Sequence, residues 1–399
     1  MTVRSARVSE VSHVRVMDET GSFSEPRNVS IVDGRFVDAS PLAPDGTVLD
    51  GEGRWLIPGV YDAHTHITWN DFHEHDRAAR TEPERERQTR EALVATLRAG
   101  VTSARDGGGA PAQLRDSIAA GEIEGPRLQV SIDMITADRS GPQFEAGVLG
   151  ALDAGAQWVK LVATVGIGAP EGSQLESNFT EAEFRFAADA ASKYGAGVMV
   201  HAWGGAAIDY SIEHGATSLE HGIYLTRKQA EKAAETSLTF VPTLTIYQLL
   251  LELVDNGELA GISRERVVRV VADHSRAVND AFEAGVTLAI GSDYGTARQH
   301  GTNLLEIESL MRAGIPAADV LLAATRNGAL LFGDADGGRI ASGYRADAVL
   351  LDGDPTDPAT FHAPHSVTAV VHDGELVHHA PAATEVNSLH NTPGAHHVQ

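Results

Sequence analysis

The sequence predicts an α/β protein: a (β/α)8 TIM-like barrel with a small β-sandwich domain formed from both chain ends. Three observations point there. Both ends of the 399-residue chain read as short strands with turn punctuation, and the long middle alternates apolar strands with amphipathic helices. Several of those middle strands also stop at His, Lys or Asp.

The ends come first. Residues 1 to about 55 hold "SHVRVMD", "VSIVDGRFVDAS" and "GTVLDGEG", where alternating Val and Ile with Asp-Gly or Gly-Glu-Gly breaks is hairpin material. The segment near 338 to 380 has the same texture in "GRIASGYRADAVLLDGDP" and "SVTAVVHDGELV". Each end is too short to bury a core alone, so the two are expected to pair into one sheet domain. The expected division is 1–56 plus 335–385 for that domain and 57–334 for the barrel. The tail 386–399 reads as disordered.

Between the ends, the strand candidates in order are "LIPGVYDA", "VTSARD", "RLQVSI", "WVKLVAT", "GVMVHA", "TSLEHG", "LTFVPTL" and "VTLAIGSD". Helical stretches separate them, including "ERQTREALVATLRAG", "TEAEFRFAADAASKYG" and "RVVRVVADHSRAVNDAFEAG", several closing in Ala-Gly or His-Gly as a glycine C-cap requires. Eight strand–helix units fit a (β/α)8 barrel. A doubly wound open sheet shares the alternation, because spacing alone does not show closure.

Composition narrows the partners. The chain is 42% hydrophobic and 22% charged, as ordinary globular proteins are. Lys plus Arg number 31 against 55 Asp plus Glu, a formal net charge of −24, which disfavours nucleic acid and anionic membranes. No stretch approaches transmembrane length and the start has no signal-peptide core, so a cytoplasmic location is expected. With no cysteine, any transition-metal site must be built from His, Asp, Glu or a modified side chain.

In such a barrel, functional groups sit at the C-terminal ends of the strands. Strand one ends at His64 and His66, which as i and i+2 in an extended segment point to one side. Strand four carries Lys160, strand five ends at His201, strand six at His221 and strand eight at Asp293. Taken singly, a strand-end His is an ordinary structural residue, an Asp after a strand caps the next helix, and a strand Lys snorkels outward. Five strands presenting such groups at one barrel end point instead to a metal site. His73 and His75 lack a strand to aim them and read as a charged loop or helix start. "VGIGAPEG" at 165–172 lacks the glycine spacing and Lys-Ser/Thr ending of a phosphate loop.

These motifs resemble the amidohydrolase superfamily, two-metal branch, over nearly the whole chain. "PGVYDAHTH" resembles its strand-one metal motif, "VKLVAT" its bridging-lysine strand, and "VHAWGG", "LEHG" and "IGSD" the remaining ligand strands. The resemblance implies two divalent ions, Zn²⁺ first and Mn²⁺, Co²⁺ or Ni²⁺ as alternatives. His64, His66 and Asp293 would hold one ion, His201 and His221 the other, with a CO2-derived carbamate on Lys160 bridging them. It further implies attack by a metal-bridging hydroxide, with Asp293 as proton shuttle.

Deaminase branches place a glutamate just after the strand-five histidine, where this chain reads "HAWGG". Glu220 precedes His221, but adjacent strand residues face opposite ways. Amide, carbamate or ester cleavage is therefore expected rather than deamination. "ARDGGG", "GPRLQ", "EHGIYL", "VPTL" and "HGTNLLEIESL" are similar to the imidazolonepropionase-like and Xaa-Pro dipeptidase-like group, which cleaves acyl–amino-acid bonds. Tyr224 matches a tyrosine of that group that hydrogen-bonds the tetrahedral oxygen, although it also suits packing under the loop. The group's Gly-Gly-His-Gly run after strand three is here "ITADRSGPQ", so specificity does not carry over. Arg139 in that loop is a candidate for a substrate carboxylate or a solvated arginine, and His300 a further substrate-contact candidate. "TLTIYQLLLELVDNGELAG" reads equally as a core helix or an apolar lid.

The expected activity is thus hydrolysis of an amide-type C–N bond in a small N-acyl amino acid, dipeptide or carbamate. A lactonase, esterase or phosphotriesterase with the same metal centre is the alternative, and a non-catalytic scaffold a third class. The expected partner is a small-molecule substrate. A homo-oligomer is implied by the resemblance alone.

Overall fold

A computed structural model describes residues 6–38, 46–71, 74–170, 172–257, 262–363 and 365–380. The expected 386–399 tail and His73 lie outside the described residues.

The two chain ends meet in one eight-stranded sheet. Trp55–Pro58 runs antiparallel to Ala348–Leu351, with Trp55 opposite Leu351 and Pro58 opposite Ala348. Ala6–Val16 pairs with Glu375–His379. Val11, Val14, Ile31, Leu56, Ala348 and Val371 share a core under this sheet, the alternate residues that hairpin patterning turns inward.

The middle of the chain forms two all-parallel sheets. Val60–Thr65, Val101–Asp106 and Arg127–Val130 make one of three strands. Met134–Ile135, Trp158–Val162, Gly197–Ala202, Ser218–His221, Thr239–Val241 and Thr287–Leu288 make one of six. Backbone hydrogen bonds also cross between the sheets. Gln157 N donates to Val130 O at 2.9 Å, and Ala63 N to Ile290 O at 2.9 Å. Asp293 N donates to His64 O at 2.6 Å and His66 N to Tyr294 O at 2.8 Å, laying the strand-one end beside the segment after strand eight. The architecture is a TIM-barrel-like α/β fold.

Helices separate the strands as their sequence dictates. Glu181–Lys193 starts with Thr180 and Glu183 exchanging side-chain and backbone hydrogen bonds, and Arg227–Ala234 starts with Thr226 and Gln229 doing the same. Arg264–Ala284 ends at Gly285 with φ 90, the left-handed cap its Ala-Gly signal requires. Leu244–Asp255, the apolar segment after strand seven, buries Leu244, Ile246, Tyr247 and Leu250, so its first turns are core.

Candidate functional site

All six strand-end residues converge. His64 and His66 leave the fully buried strand Val60–Thr65 with ring centres 5.4 Å apart. His64 Nδ1 lies 2.8 Å from Glu220 Oε2. A carboxylate only accepts, so Nδ1 carries the hydrogen and Nε2 keeps its lone pair. That Nε2 is 3.2 Å from Lys160 Nζ and 3.4 Å from Asp293 Oδ1. The Gly108 carbonyl, 3.2 Å from His66 Nδ1, fixes the same tautomer, and His66 Nε2 is 3.4 Å from Asp293 Oδ1. Ligand atoms of His64, His66 and Asp293 all lie within 4.8 Å of one another. On the far side, the His221 ring centre is 5.0 Å from that of His64 and 4.5 Å from that of His201. His201 Nε2 is buried without a hydrogen-bond partner among the described residues.

Two backbone outliers aim these groups. His221 has φ 69 and Asp293 φ 53, the left-handed region that non-glycine residues rarely occupy. His221 is the last residue of its strand, and this turn breaks the alternation expected between Glu220 and His221. Both side chains therefore serve the site: Glu220 holds His64 from inside, while His221 Nδ1 bonds Thr243 Oγ1 at 2.8 Å and lies 4.0 Å from Asp293 Oδ2. The expectation that Glu220 faces away from this centre is corrected accordingly.

Arg105 completes the support. Its guanidinium is fully buried and gives Nε to Ala63 O at 2.6 Å, one amino group to Ser218 Oγ at 3.0 Å and the other to Glu220 Oε1 at 2.9 Å. Burial pushes the Glu220 pKa up, but Arg105 and the His64 hydrogen bond hold it at about 2. Asp293 is likewise opposed by burial and held at about 2 by His64, His66 and Lys160. Burial, then the Lys160 charge, lower His64 to about 4 and His201 to about 3, so both imidazoles are neutral at pH 7. Burial lowers Lys160 to about 8, against the pull of Glu220 and Asp293.

The "ARDGGG" stretch has a local reason here. Asp106 accepts from Ile67 N, Gly108 N and Ala110 N at 2.8, 2.9 and 3.1 Å, wrapping the loop around the first strand's end. A Cβ on Gly107 would stand 3.0 Å from His66 Cε1 and 3.1 Å from His64 Nε2. Trp69 stacks on His66 with ring centres 3.8 Å apart, and Arg77 lies over its other face at 4.4 Å. Arg105, Trp69 and Gly107 were given no role by the sequence reading, although the glycine run was visible in it, and Glu220 was placed facing away.

The remaining candidates sit further out. Tyr224 is half-buried with its ring centre 6.1 Å from that of Trp203, and burial and the Asp273 charge raise its pKa. Arg139 is paired with Asp133. His300 is buried, its Nδ1 3.3 Å from Thr96 Oγ1 and its Nε2 without a partner among the described residues. His75 is exposed in the short helix Glu74–Ala79.

Comparison with known proteins agrees with this geometry. The Amidohydrolase family model matches residues 55–377. Ochratoxinase of Aspergillus niger is 29% identical over 229 residues, 56% of this chain and 46% of that protein, so the match spans just under half of that relative's length. Imidazolonepropionase of Rubrobacter xylanophilus is 25% identical over 393 residues, 86% of this chain and 87% of that one. A solved prolidase complexed with N-methylphosphonate-L-proline superposes with a TM-score of 0.83 at 25% identity, covering 93% of this chain and 99% of that one. A. niger ochratoxinase shares the fold at a TM-score of 0.80 and 22% identity, covering 94% and 96%. The strand-end histidines, the buried lysine and the aspartate thus stand within a match that spans most of the sequence: the chain belongs to the amidohydrolase family.

Proposed function

We propose that this chain is a binuclear metal-dependent hydrolase cleaving an amide-type C–N bond in a small N-acyl amino acid, dipeptide or carbamate-like molecule. The observation that carries this reading is the meeting of His64, His66 and Asp293 within 4.8 Å, with Lys160 3.2 Å from His64, in a chain of this family. The prolidase and imidazolonepropionase likenesses support the C–N bond. The fold reading that goes with it is a single closed barrel of residues 57–334 beside a β-sandwich of 1–56 and 335–385.

The donor set fits two divalent ions, Zn²⁺ first. The His64 and His201 imidazoles are neutral, as ligation requires, and His201 Nε2 is buried without a hydrogen-bond partner among the described residues. His64, His66 and Asp293 would hold one ion and His201 and His221 the other. Burial lowers Lys160 to about 8, which makes the free amine, the form that CO2 would convert to a carbamate, more accessible than in an ordinary lysine. Bound there, the ions would supply Lewis acidity and a water of lowered pKa. Asp293, ionised and partly open to solvent, accepts a proton from the attacking water and returns it to the leaving nitrogen. Glu220, held by Arg105 and His64, has no freedom to serve a ring nitrogen, which favours amide cleavage over deamination. His300, with Nε2 open, is retained as a substrate contact, whereas Arg139 stays with Asp133.

The test is elemental analysis followed by a hydrolysis screen of N-acyl amino acids, dipeptides, carbamates and lactones with the metal-loaded protein. Near two equivalents of metal and turnover of an amide are expected. Near-zero metal after growth in zinc or manganese, or turnover of lactones alone, overturns the reading.

A further inference from the structure

Two tyrosines border the site, and the geometry separates their roles. Tyr224 follows strand six and its surroundings include Asp273, Arg266 and Arg269. Tyr247 lies in the first turns of the helix Leu244–Asp255 and is 4% exposed. Its ring centre is 6.1 Å from His221, 5.7 Å from Trp203 and 5.3 Å from His274, edge-on to each.

Three features hold Tyr247 in place. Thr243, a β-branched residue at φ 58, turns the chain sharply into the helix and bonds His221 Nδ1 at 2.8 Å. Both carboxylate oxygens of the buried Glu306 receive the helix's first amides, Leu244 N at 2.7 Å and Thr245 N at 2.8 Å. Finally, Trp203, just past His201, packs against the phenol and is 3% exposed. The strained Thr243 thus stands between the His221 hydrogen bond and a helix start held by Glu306.

Polar valence is left open beside the phenol. The buried Trp203 Nε1 and His201 Nε2 lack hydrogen-bond partners among the described residues, and both face Gly166: a Cβ there would stand 3.8 and 3.6 Å from them. Trp203, whose indole N–H is unpartnered among the described residues, packs edge-on against the phenol with ring centres 5.7 Å apart. A phenol, with an ordinary pKa of about 10, is a hydrogen-bond donor at neutral pH.

We propose that Tyr247, backed by the Trp203 N–H, is the phenol that donates a hydrogen bond to the substrate's carbonyl oxygen as it gains negative charge, and that Tyr224 is a packing residue of the rim. The proposal rests on the hydrolase reading above. The O–H keeps its proton throughout, and no bond forms between Tyr247 and the substrate. An oxyanion donor acts only where charge develops, so its loss falls on kcat rather than KM.

The experiment compares Tyr247→Phe, Tyr224→Phe and Trp203→Phe on the best substrate of the screen, with metal content and the affinity for N-methylphosphonate amino acids as separate readouts. Tyr247→Phe is expected to lower kcat on the order of 10²-fold and weaken phosphonate binding comparably, with KM, metal content and binding of the free amino acid unchanged. Tyr224→Phe should stay within about 2-fold and Trp203→Phe fall between the two. Unchanged kcat and phosphonate affinity in Tyr247→Phe, or the loss appearing in Tyr224→Phe instead, overturns the assignment. A wild-type protein that neither turns over an amide nor binds the phosphonates overturns the hydrolase reading and this one with it.

Discussion

Both ends of the parallel strands are rich in charged side chains, but the charges do different work at each. At the strand starts, Tyr61 donates to Asp334 at 2.6 Å, and Arg345 pairs with Asp334 and, at 2.9 Å, with Asp347. Arg127 joins Asp347 and, at 2.7 Å, Asp373, tying the parallel strands to the chain-end sheet. There each carboxylate meets a cation, and the groups lock two parts of the fold together. At the strand ends, support and candidate ligands are separated: Arg105 and Glu220 are paired with each other, while Lys160 and Asp293 face His64 and the buried His201 Nε2 has no hydrogen-bond partner among the described residues. A buried imidazole nitrogen without a partner is costly, and a bound ion would offset that cost.

The sharpest break of this contrast is Asp293→Asn. It should cut kcat on the order of 10²–10⁴-fold while leaving metal content largely intact, read by steady-state kinetics and elemental analysis. Retained activity would refute the proton role. Next comes Glu220→Gln, which strands the buried Arg105 charge. A loss of about 3–5 kcal/mol in denaturant unfolding is expected, with metal affinity about 10–100-fold weaker in a chelator competition because His64 loses its tautomer lock. Arg105→Met combined with Glu220→Gln should recover part of the stability, and no recovery would show that the two do not act as a pair.

The strand starts should answer differently. Asp334→Asn is expected to cost about 1–3 kcal/mol of stability by weakening the Tyr61 and Arg345 contacts, with kcat unchanged. A fall in kcat would mean that the two ends are coupled. A smaller effect concerns Glu306, whose pKa burial raises from 4.5 to about 8. A raised folded-state pKa means stability fully present below about 4.5 and lost as pH rises through about 8, because the anion must be desolvated. Glu306→Gln should flatten that decline in melting temperature between the two pH values, and an unaltered slope would exclude Glu306 as its source. Smallest is Arg139→Ala, which breaks a partly exposed ion pair worth about 0–1 kcal/mol. Its KM for carboxylate-bearing substrates should not change, and a tenfold rise would place the guanidinium on the substrate.

Much of this was legible in the chain. The "DAHTH" spacing, the strand-end His201 and His221, Lys160 within an apolar strand and Asp293 after "IGS" are local patterns, and strand periodicity alone aims such residues at one end. The pairing of the two chain ends was legible for a similar reason, since neither buries its alternating Val and Ile alone. Glu220 was misread because period-two alternation assumes extended backbone, and His221 leaves it at φ 69. Arg105 looked like a strand residue next to a glycine run, with nothing nearby in sequence to need its charge.

The sequence by itself determined the order of strands and helices and, through its resemblance to a known family, the candidate ligand residues; the element order follows from periodicity, and each motif from groups only a few positions apart. Only the tertiary structure decided which nitrogen of His64 is free, since the carboxylate that fixes it lies 156 residues away. It alone also set Tyr247 rather than Tyr224 against His221. A side chain's partners across a barrel depend on where turns of unusual backbone geometry aim it, and that is fixed by packing rather than by pattern.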